Sequence, residues 1–238
     1  MKLYAYCLAE EVESLPDSLR GIAEGRVHII KDGAFSVVVS DFSAETVPVN
    51  RDNALIHAAV VQSVLTQTTP LPFRFGTVVT EPQLRNYVEA RREALRAKLE
   101  SFRGCVEMNV KIIEQRGTQE ESPLPQREDK PGTAFLAQKR RELLGSETRV
   151  AEAKKIASWI DELTSGFASE TRMDTNPSDK LLLATAHLVQ RDKVDQYRAK
   201  LKEAREERPE LHFLVSGPWP PYSFANIDLE LKSHFGVS

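Results

Sequence analysis

The chain has 238 residues, of which 41% are hydrophobic and 28% charged, with a formal net charge of −3 and a pI near 6.0. These values are typical of globular proteins; they exclude a disordered chain, a fibrous repeat and a broad surface for polyanions. The only two cysteines are too few for a disulfide framework, and no apolar run is long enough for a signal peptide or a membrane span. We therefore expect a cytoplasmic protein that binds neither nucleic acid nor membrane.

The first 80 residues carry alternating strand and helix patterns. Asp32-Gly33 between two β-branched runs predicts a tight hairpin turn, and Asn50 or Asp52 is suited to cap a helix. In chain order, the predicted elements are a strand at 2–9, a short helix at 14–24, a hairpin at 27–40, a helix ending near 68 and a strand at 73–79. The order β-α-β-β-α-β is the split βαβ pattern of ferredoxin-like domains.

A helix at about 81–101 follows, because Thr80 and Gln83 resemble a capping box and apolar residues form a stripe after them. Alternation at 105–114 predicts a strand, and the polar, proline-containing stretch 118–130 predicts a surface loop. Apolar residues then recur every seven positions in a long helix at about 133–164, which indicates coiled-coil pairing.

The remaining elements repeat the first pattern. They are a hairpin of 167–173 and 180–189 around Asn176-Pro177, a helix beginning near Val194, and a strand at 211–216. The sequence therefore predicts an α+β protein of two ferredoxin-like (βαββαβ) units in tandem. The expected domains are 1–80, a connecting helix at 81–102, and 103–238 with the long helix and a tail from about 218.

No residue pattern indicates catalysis, a metal or a cofactor. The five histidines do not form metal-ligand spacings, and no phosphate loop, dinucleotide fingerprint or nucleophile elbow is present. His57 on its helix could act as a general base, although a lone helical histidine is more often a packing residue. Cys7 and Cys105 each fall in a predicted strand, where a buried thiol behaves as a small apolar group.

Two segments are candidates for binding a partner. Arg74 stands between Phe73 and Phe75, so on a strand it takes the opposite face from the two rings. It then either binds a partner or forms a salt bridge with a neighbouring strand. The stretch Gly217–Phe224 combines three prolines with Trp219, Tyr222 and Phe224, and it either docks on its own domain or offers a partner an apolar surface.

Several strings together resemble a known family. In order along the chain these are Tyr4-Ala-Tyr6, Leu71-Pro-Phe-Arg-Phe-Gly-Thr-Val78, Gly104-Cys-Val-Glu-Met-Asn-Val-Lys111, Gly132-Thr-Ala-Phe-Leu136 with Lys139-Arg-Arg141, and Gly217-Pro-Trp-Pro-Pro-Tyr-Ser-Phe224. They resemble the gas vesicle protein L/F family and span nearly the whole chain. Met108 and Phe135 are departures from the family's usual aromatic residues, and both replacements are apolar.

The resemblance implies a non-enzymatic accessory or structural protein that is needed for gas vesicle assembly. It further implies that the main shell protein, and other accessory proteins of the vesicle, are the partners, that no cofactor is used, and that the location is the gas vesicle, with a place at its gas-facing inner surface.

Our hypothesis from the sequence is that the first unit contacts the shell protein. The candidate partner-binding residues are Phe73, Arg74, Phe75, Trp219, Tyr222 and Phe224. The 81–101 helix and the long helix would form a coiled-coil brace. The alternative, from a different class, is a cofactor-free small-molecule enzyme or ligand sensor on a ferredoxin-like sheet, which requires an enclosed apolar pocket with converging polar groups.

Overall fold

A computed structural model describes residues 2–114, 131–175 and 181–227. It is a mixed α+β structure with antiparallel strand pairing, which confirms the α+β class that the sequence predicts. The chain forms two compact units: one contains the described residues of 1–107 and 218–238, and the other those of 108–217. The segment 81–102 and the tail from 218 thus belong to the first unit, whereas the boundaries expected from the sequence separate both from residues 1–80.

The first sheet is centred on β1 (Lys2–Ala9), which is buried along nearly its whole length. β3 (Phe35–Phe42) pairs with one edge of β1, and β2 (Val27–Asp32) pairs with β3. β4 (Leu71–Pro72) and β5 (Val78–Thr80) both pair with the other edge of β1. All these pairings are antiparallel, and burial on both faces explains why β1 lacks charged residues after Lys2.

The hairpin of β2 and β3 is present, but its turn lies one residue later than predicted. Asp32 pairs with Phe35, so the two loop residues are Gly33 and Ala34 rather than Asp32 and Gly33. Gly33 supplies the positive φ, +60°, that a two-residue turn requires at its first position. Asp32 instead remains in the strand and accepts a hydrogen bond from Arg92 at 2.6 Å.

The helix predicted at 14–24 is wrong. The segment consists of bends and one 3₁₀ turn at Ile22–Glu24, inside which Ala23 has a φ of 55°. The backbone N–H of Ile22 donates to the buried hydroxyl of Tyr6 at 2.8 Å, so the sheet supplies a hydrogen bond that a helix would have supplied locally. A helix this short is marginal without such outside partners, and here the partners favour a different conformation.

The long helix of the first unit is α1 (Arg51–Leu65), which Asn50 caps by accepting from the backbone N–H of Asn53 at 2.8 Å. Three buried valines of α1, Val60, Val61 and Val64, pack in one apolar cluster with the side chains of β1. The predicted helix and its cap are therefore confirmed, and α1 covers the face of the sheet that carries Tyr4 and Tyr6.

The predicted helix at 81–101 is divided into α2 (Glu81–Ala90) and α3 (Arg92–Phe102). The capping box of Thr80 and Gln83 is confirmed, with both reciprocal hydrogen bonds formed. Arg91 separates the helices with φ −123° and ψ 13°, and nothing in the sequence marks this break. Both helices bury their apolar stripe, so the segment is a part of the first unit's core rather than a connector.

The second sheet has the strand order β7-β8-β6-β9. Its described elements follow the predicted sequence of types and, in chain order, are β6 (Cys105–Glu114), α4 (Pro131–Thr164), β7 (Ala168–Asp174), β8 (Leu181–Gln190), α5 (Val194–Glu207) and β9 (Leu211–Trp219). β9 continues three residues beyond its predicted end. The predicted loop at 118–130 and turn at Asn176-Pro177 lie outside the described residues.

Candidate partner-binding cleft

The strand predicted at 73–79 is interrupted by a turn, which corrects the argument for Arg74 from strand alternation. The backbone N–H of Phe73 still donates to Tyr6 O at 2.9 Å, but the next carbonyl, that of Arg74, accepts from the N–H and the hydroxyl of Thr77 at 3.2 and 2.6 Å. Gly76 makes the turn possible with a φ of +88°. As a result Phe73 is buried, Phe75 is half-buried and the side chain of Arg74 is exposed.

A buried tyrosine–histidine pair stabilises the turn. The hydroxyl of Tyr4 accepts from the backbone N–H of Gly76 at 3.1 Å and lies 2.9 Å from Nδ1 of His57 on α1. His57 is only 3% exposed, and burial lowers its pKa from 6.5 to about 4, so the ring is neutral at pH 7. Its packing role is confirmed, whereas a general base with this pKa would be weak.

Because the Tyr4 hydroxyl already accepts from Gly76, its own hydrogen is free to be donated to Nδ1 of His57. This arrangement satisfies all three groups and assigns the histidine proton to Nε2. Within the part of the chain that the structure describes, Nε2 is the one buried side-chain nitrogen or oxygen without a hydrogen-bond partner. Buried polar atoms without a partner are uncommon and often occur at functional sites.

The C-terminal tail docks on the first unit. After β9 the chain forms a single helical turn, α6 (Tyr222–Ala225). Ser223 at this turn donates its backbone N–H and its hydroxyl to the carboxylate of Glu107, at 2.7 and 2.8 Å. Phe224 is buried against Phe102 with its ring perpendicular and 6.4 Å away. The sequence predicted that this stretch docks on its own domain, 103–238; in the structure it docks on the unit that contains residues 1–107.

The tail then turns back toward the sheet. Asn226 adopts the left-handed conformation, with φ 44° and ψ 43°, which asparagine tolerates better than most residues. Ile227 consequently forms a parallel bridge with Phe73. The tail and the Arg74 turn therefore lie side by side, although Phe73 and Ser223 are 150 residues apart in the sequence.

A cleft of about 500 Å³ lies between α1, the Arg74 turn and the tail; we call it the aromatic cleft. The ring centroids of Phe75 and Tyr222 lie 5.8 and 6.1 Å from that of His57, and all three residues line the cleft. The lining residues are Ala54, His57, Ala58, Pro72, Phe73, Arg74, Phe75, Tyr222, Asn226 and Ile227. All belong to the first unit, and among them Arg74 is the only charged side chain at neutral pH.

Four of the six predicted partner-binding residues line the aromatic cleft: Phe73, Arg74, Phe75 and Tyr222. The other two do not. Phe224 is buried beneath the tail, where it fastens the tail in place, and Trp219 is 45% exposed outside the lining. The structure thus assembles one surface from two segments that the sequence singled out separately.

Sequence reasoning missed the contribution of α1 and of Asn226. The spacing of Ala54, His57 and Ala58, at i, i+3 and i+4, places two small residues and a histidine on one face of the helix. That pattern could have indicated an open space beside His57. No signal in the sequence indicated that Asn226 would close the tail against the Arg74 turn.

Within residues 2–114, 131–175 and 181–227 no three histidine, cysteine or carboxylate side chains are grouped as a metal site requires. Cys7 and Cys105 are both buried, and burial raises the pKa of the Cys7 thiol, so it is not activated as a nucleophile. None of the described helices is both long and apolar enough to span a bilayer.

Comparison with known proteins identifies the family. Residues 2–226 match the family of the gas vesicle synthesis protein GvpL/GvpF. The chain belongs to the GvpL/GvpF family. It is 27% identical over 234 residues to gas vesicle protein F2 of Halobacterium salinarum, covering 95% of this chain and 93% of that protein. It is 27% identical over 251 residues to gas vesicle protein L of a Streptomyces species, covering 94% and 92%.

The fold is also shared with solved GvpF structures. The crystal structure of GvpF from Anabaena superposes with a TM-score of 0.76 at 19% identity, covering 95% of this chain and 96% of that one. GvpF from Microcystis aeruginosa gives a TM-score of 0.73 at 20% identity, covering 95% and 99%. These structures show the shared fold, and the match of residues 2–226 to the family confirms the predicted resemblance over nearly the whole chain.

Two of the strings through which the sequence resembles the GvpL/GvpF family meet at the aromatic cleft. Leu71–Val78 supplies Pro72 and the Arg74 turn, and Gly217–Phe224 supplies Tyr222. Two segments that resemble the GvpL/GvpF family thus contribute to the aromatic cleft, together with α1 and the residues after Phe224.

Proposed function

We propose that this GvpL/GvpF protein is a non-enzymatic accessory protein of gas vesicle assembly that binds the main shell protein at the aromatic cleft. Membership of a family described by gas vesicle synthesis supports the assembly role. The observation that carries the binding proposal is the junction of the Arg74 turn with the C-terminal tail, which leaves aromatic surface and an arginine open to a partner.

The composition of the cleft suits protein binding. Interface centres are enriched in tyrosine, tryptophan, phenylalanine and arginine, and such residues carry most of the binding energy. Here Tyr222 is 40% exposed, Phe75 is half-buried and Arg74 is exposed, all around one concave surface. The half-buried rings lose little conformational freedom when a partner covers them, which favours binding.

The test is retention of the purified main shell protein by the immobilised full chain and by two variants, Arg74→Glu and Tyr222→Ser. Both residues are exposed, so both variants should fold; we expect each to lower retention about tenfold. The matched control is Leu55→Ser, because Leu55 is an exposed apolar residue (57%) on the same helix α1 but outside the lining. Equal retention by all four proteins would refute binding at the cleft.

We also propose that the protein is a minor component of the vesicle at its gas-facing surface. Purified vesicles are immunoblotted before and after denaturant stripping of the outer surface, and protease is added to intact and to pressure-collapsed vesicles. A gas-facing component resists stripping and is cleaved only after collapse. Complete removal by stripping would instead mean that the protein is attached to the outer surface. Its role would then be in assembly from outside the shell.

At the level of the fold, we propose that the two sheets are ferredoxin-like units in tandem. The orders β2-β3-β1-β4 and β7-β8-β6-β9 support this, because the first strand of each sheet lies between the third and the fourth. In the first unit a 3₁₀ turn at Ile22–Glu24 stands in the place of the first helix. The coiled-coil pairing of the 133–164 helix and independent folding of the predicted domains stay predictions. Limited proteolysis followed by mass measurement of the surviving fragments would locate the boundaries.

A further inference from the structure

The aromatic cleft has mainly apolar walls and a single positive charge. Arg74 is the only charged residue among those that line it, and no aspartate or glutamate is present there. Within the described part of the chain the guanidinium of Arg74 forms no ion pair, so the salt bridge considered for it from the sequence is not found there. An exposed arginine at the edge of an apolar cleft is suited to bind a carboxylate.

The floor of the cleft adds no competing charge. His57 is neutral at pH 7 because burial lowers its pKa to about 4. The rings of Phe75 and Tyr222 lie near it, with centroids 5.8 and 6.1 Å from that of His57. An apolar side chain that enters the cleft would contact the rings of Phe75 and Tyr222, while a carboxylate next to it would reach Arg74.

We propose that the aromatic cleft recognises a protein segment in which a carboxylate side chain stands beside a large apolar one. The apolar side chain enters between Phe75 and Tyr222, and the carboxylate pairs with Arg74. This inference rests on the proposed function, because it states which chemistry the partner must present. Charge complementarity carries it: a neutral or basic segment would leave the only charge of the cleft without a partner.

His57 provides a reporter within the cleft. Its Nε2 has no partner among the described residues, and its Nδ1 is fixed by Tyr4. Because His57 lines the cleft, we expect a group that enters the cleft to shift the ¹⁵N resonance of its Nε2.

The test uses the full ¹⁵N-histidine-labelled chain and two blocked dipeptides, N-acetyl-phenylalanyl-aspartic acid amide and its asparagine counterpart. We expect the aspartate peptide to bind about tenfold more tightly than the asparagine peptide and to shift the His57 Nε2 resonance. Arg74→Gln should abolish this preference, so that the two peptides bind with equal affinity. Arg51→Gln, an exposed arginine of α1 outside the lining, should keep it.

Equal affinity for the two peptides, or an aspartate preference that survives Arg74→Gln, would overturn the inference. Tighter binding of free phenylpropionate than of the aspartate peptide would also overturn it, because the cleft would then suit a small acid. The proposed function is judged separately from shell-protein retention. If the aspartate preference is found and the shell protein is not retained, the recognition chemistry stands and the shell protein is rejected as its partner. If the shell protein is retained and the aspartate preference is absent, only the recognition chemistry is rejected.

Discussion

Ser223 donates both its backbone N–H and its hydroxyl to the two carboxylate oxygens of Glu107, which lies 116 residues earlier and is only 3% exposed. This pair fastens the C-terminal tail to the beginning of β6. Without it, the position of Tyr222, and therefore one wall of the aromatic cleft, would depend on the packing of Phe224 and on the bridge between Ile227 and Phe73. The shape of the cleft thus depends on a tertiary contact between a buried carboxylate and a serine of the tail.

Replacement of Ser223 by alanine should weaken the docking of the tail. The variant keeps the backbone N–H bond but loses the hydroxyl bond to a buried carboxylate, which we expect to cost about 2 kcal/mol in the free energy of unfolding. Urea unfolding measures this loss. Ser101→Ala is the control, because that hydroxyl donates only to an exposed helix carbonyl, and its change should stay within about 0.5 kcal/mol. Similar values for the two variants would disprove a structural role for the Ser223 hydroxyl.

Replacement of Tyr4 by phenylalanine should destabilise the Arg74 turn. The lost hydroxyl leaves Nδ1 of His57 and the N–H of Gly76 without their shared partner, and we expect a cost of about 3 kcal/mol. Tyr222→Phe is the matched control, because the Tyr222 hydroxyl has no hydrogen bond among the described residues. If both variants unfold at the same urea concentration, the Tyr4 hydroxyl contributes nothing to stability.

Much of the fold could be predicted because local signals agreed with the tertiary structure. The Thr80 capping box, the Asn50 cap and the alternation from Cys105 to Glu114 each specify an element through its own residues. The predictions failed where distant groups decided the backbone. Ile22 bonds to Tyr6 instead of forming a helix, and the strand after Pro72 gives way to a turn whose glycine N–H binds Tyr4.

The candidate site was predicted in part for the same reason. The aromatic residues around Arg74 and in the tail were visible as unusual strings, and four of six proved to share one cleft. That they share it depends on Glu107 and on the left-handed conformation of Asn226, neither of which has a local pattern. Sequence therefore indicated the chemistry of the surface, and the tertiary contacts determined its shape.

Replacement of Gly21 by alanine should be costly although the residue is in a loop. A Cβ there would lie 2.4 Å from the hydroxyl of Tyr6 and 2.6 Å from the side chain of Ser40, two groups that hydrogen-bond to each other in the core. We expect about 2 kcal/mol of destabilisation in urea unfolding. Gly166→Ala is the control, because nothing lies within 4 Å of the added carbon, and it should be neutral or slightly stabilising. Tolerance of alanine at 21 would contradict this close packing.

Stability should fall as the pH is lowered from 7 to about 5, because each unit buries a neutral histidine against a tyrosine. His187 lies 2.6 Å from the Tyr197 hydroxyl, and burial lowers its pKa, like that of His57, from 6.5 to about 4. Below pH 6.5 the two histidines bind protons in the unfolded chain but stay neutral in the folded chain, so protonation stabilises the unfolded state relative to the folded one. The loss should reach about 2 kcal/mol for each histidine at about pH 5 and level off below pH 4.

Urea unfolding of the wild type and of His57→Gln at the two pH values isolates the contribution of one ring. Glutamine does not titrate, so the variant should lose about half of the pH dependence while its stability at pH 7 changes only through the altered packing. An undiminished pH dependence in the variant would show that His57 is protonated in the folded protein or that other groups titrate in this interval, and the neutral floor assigned to the aromatic cleft would have to be abandoned.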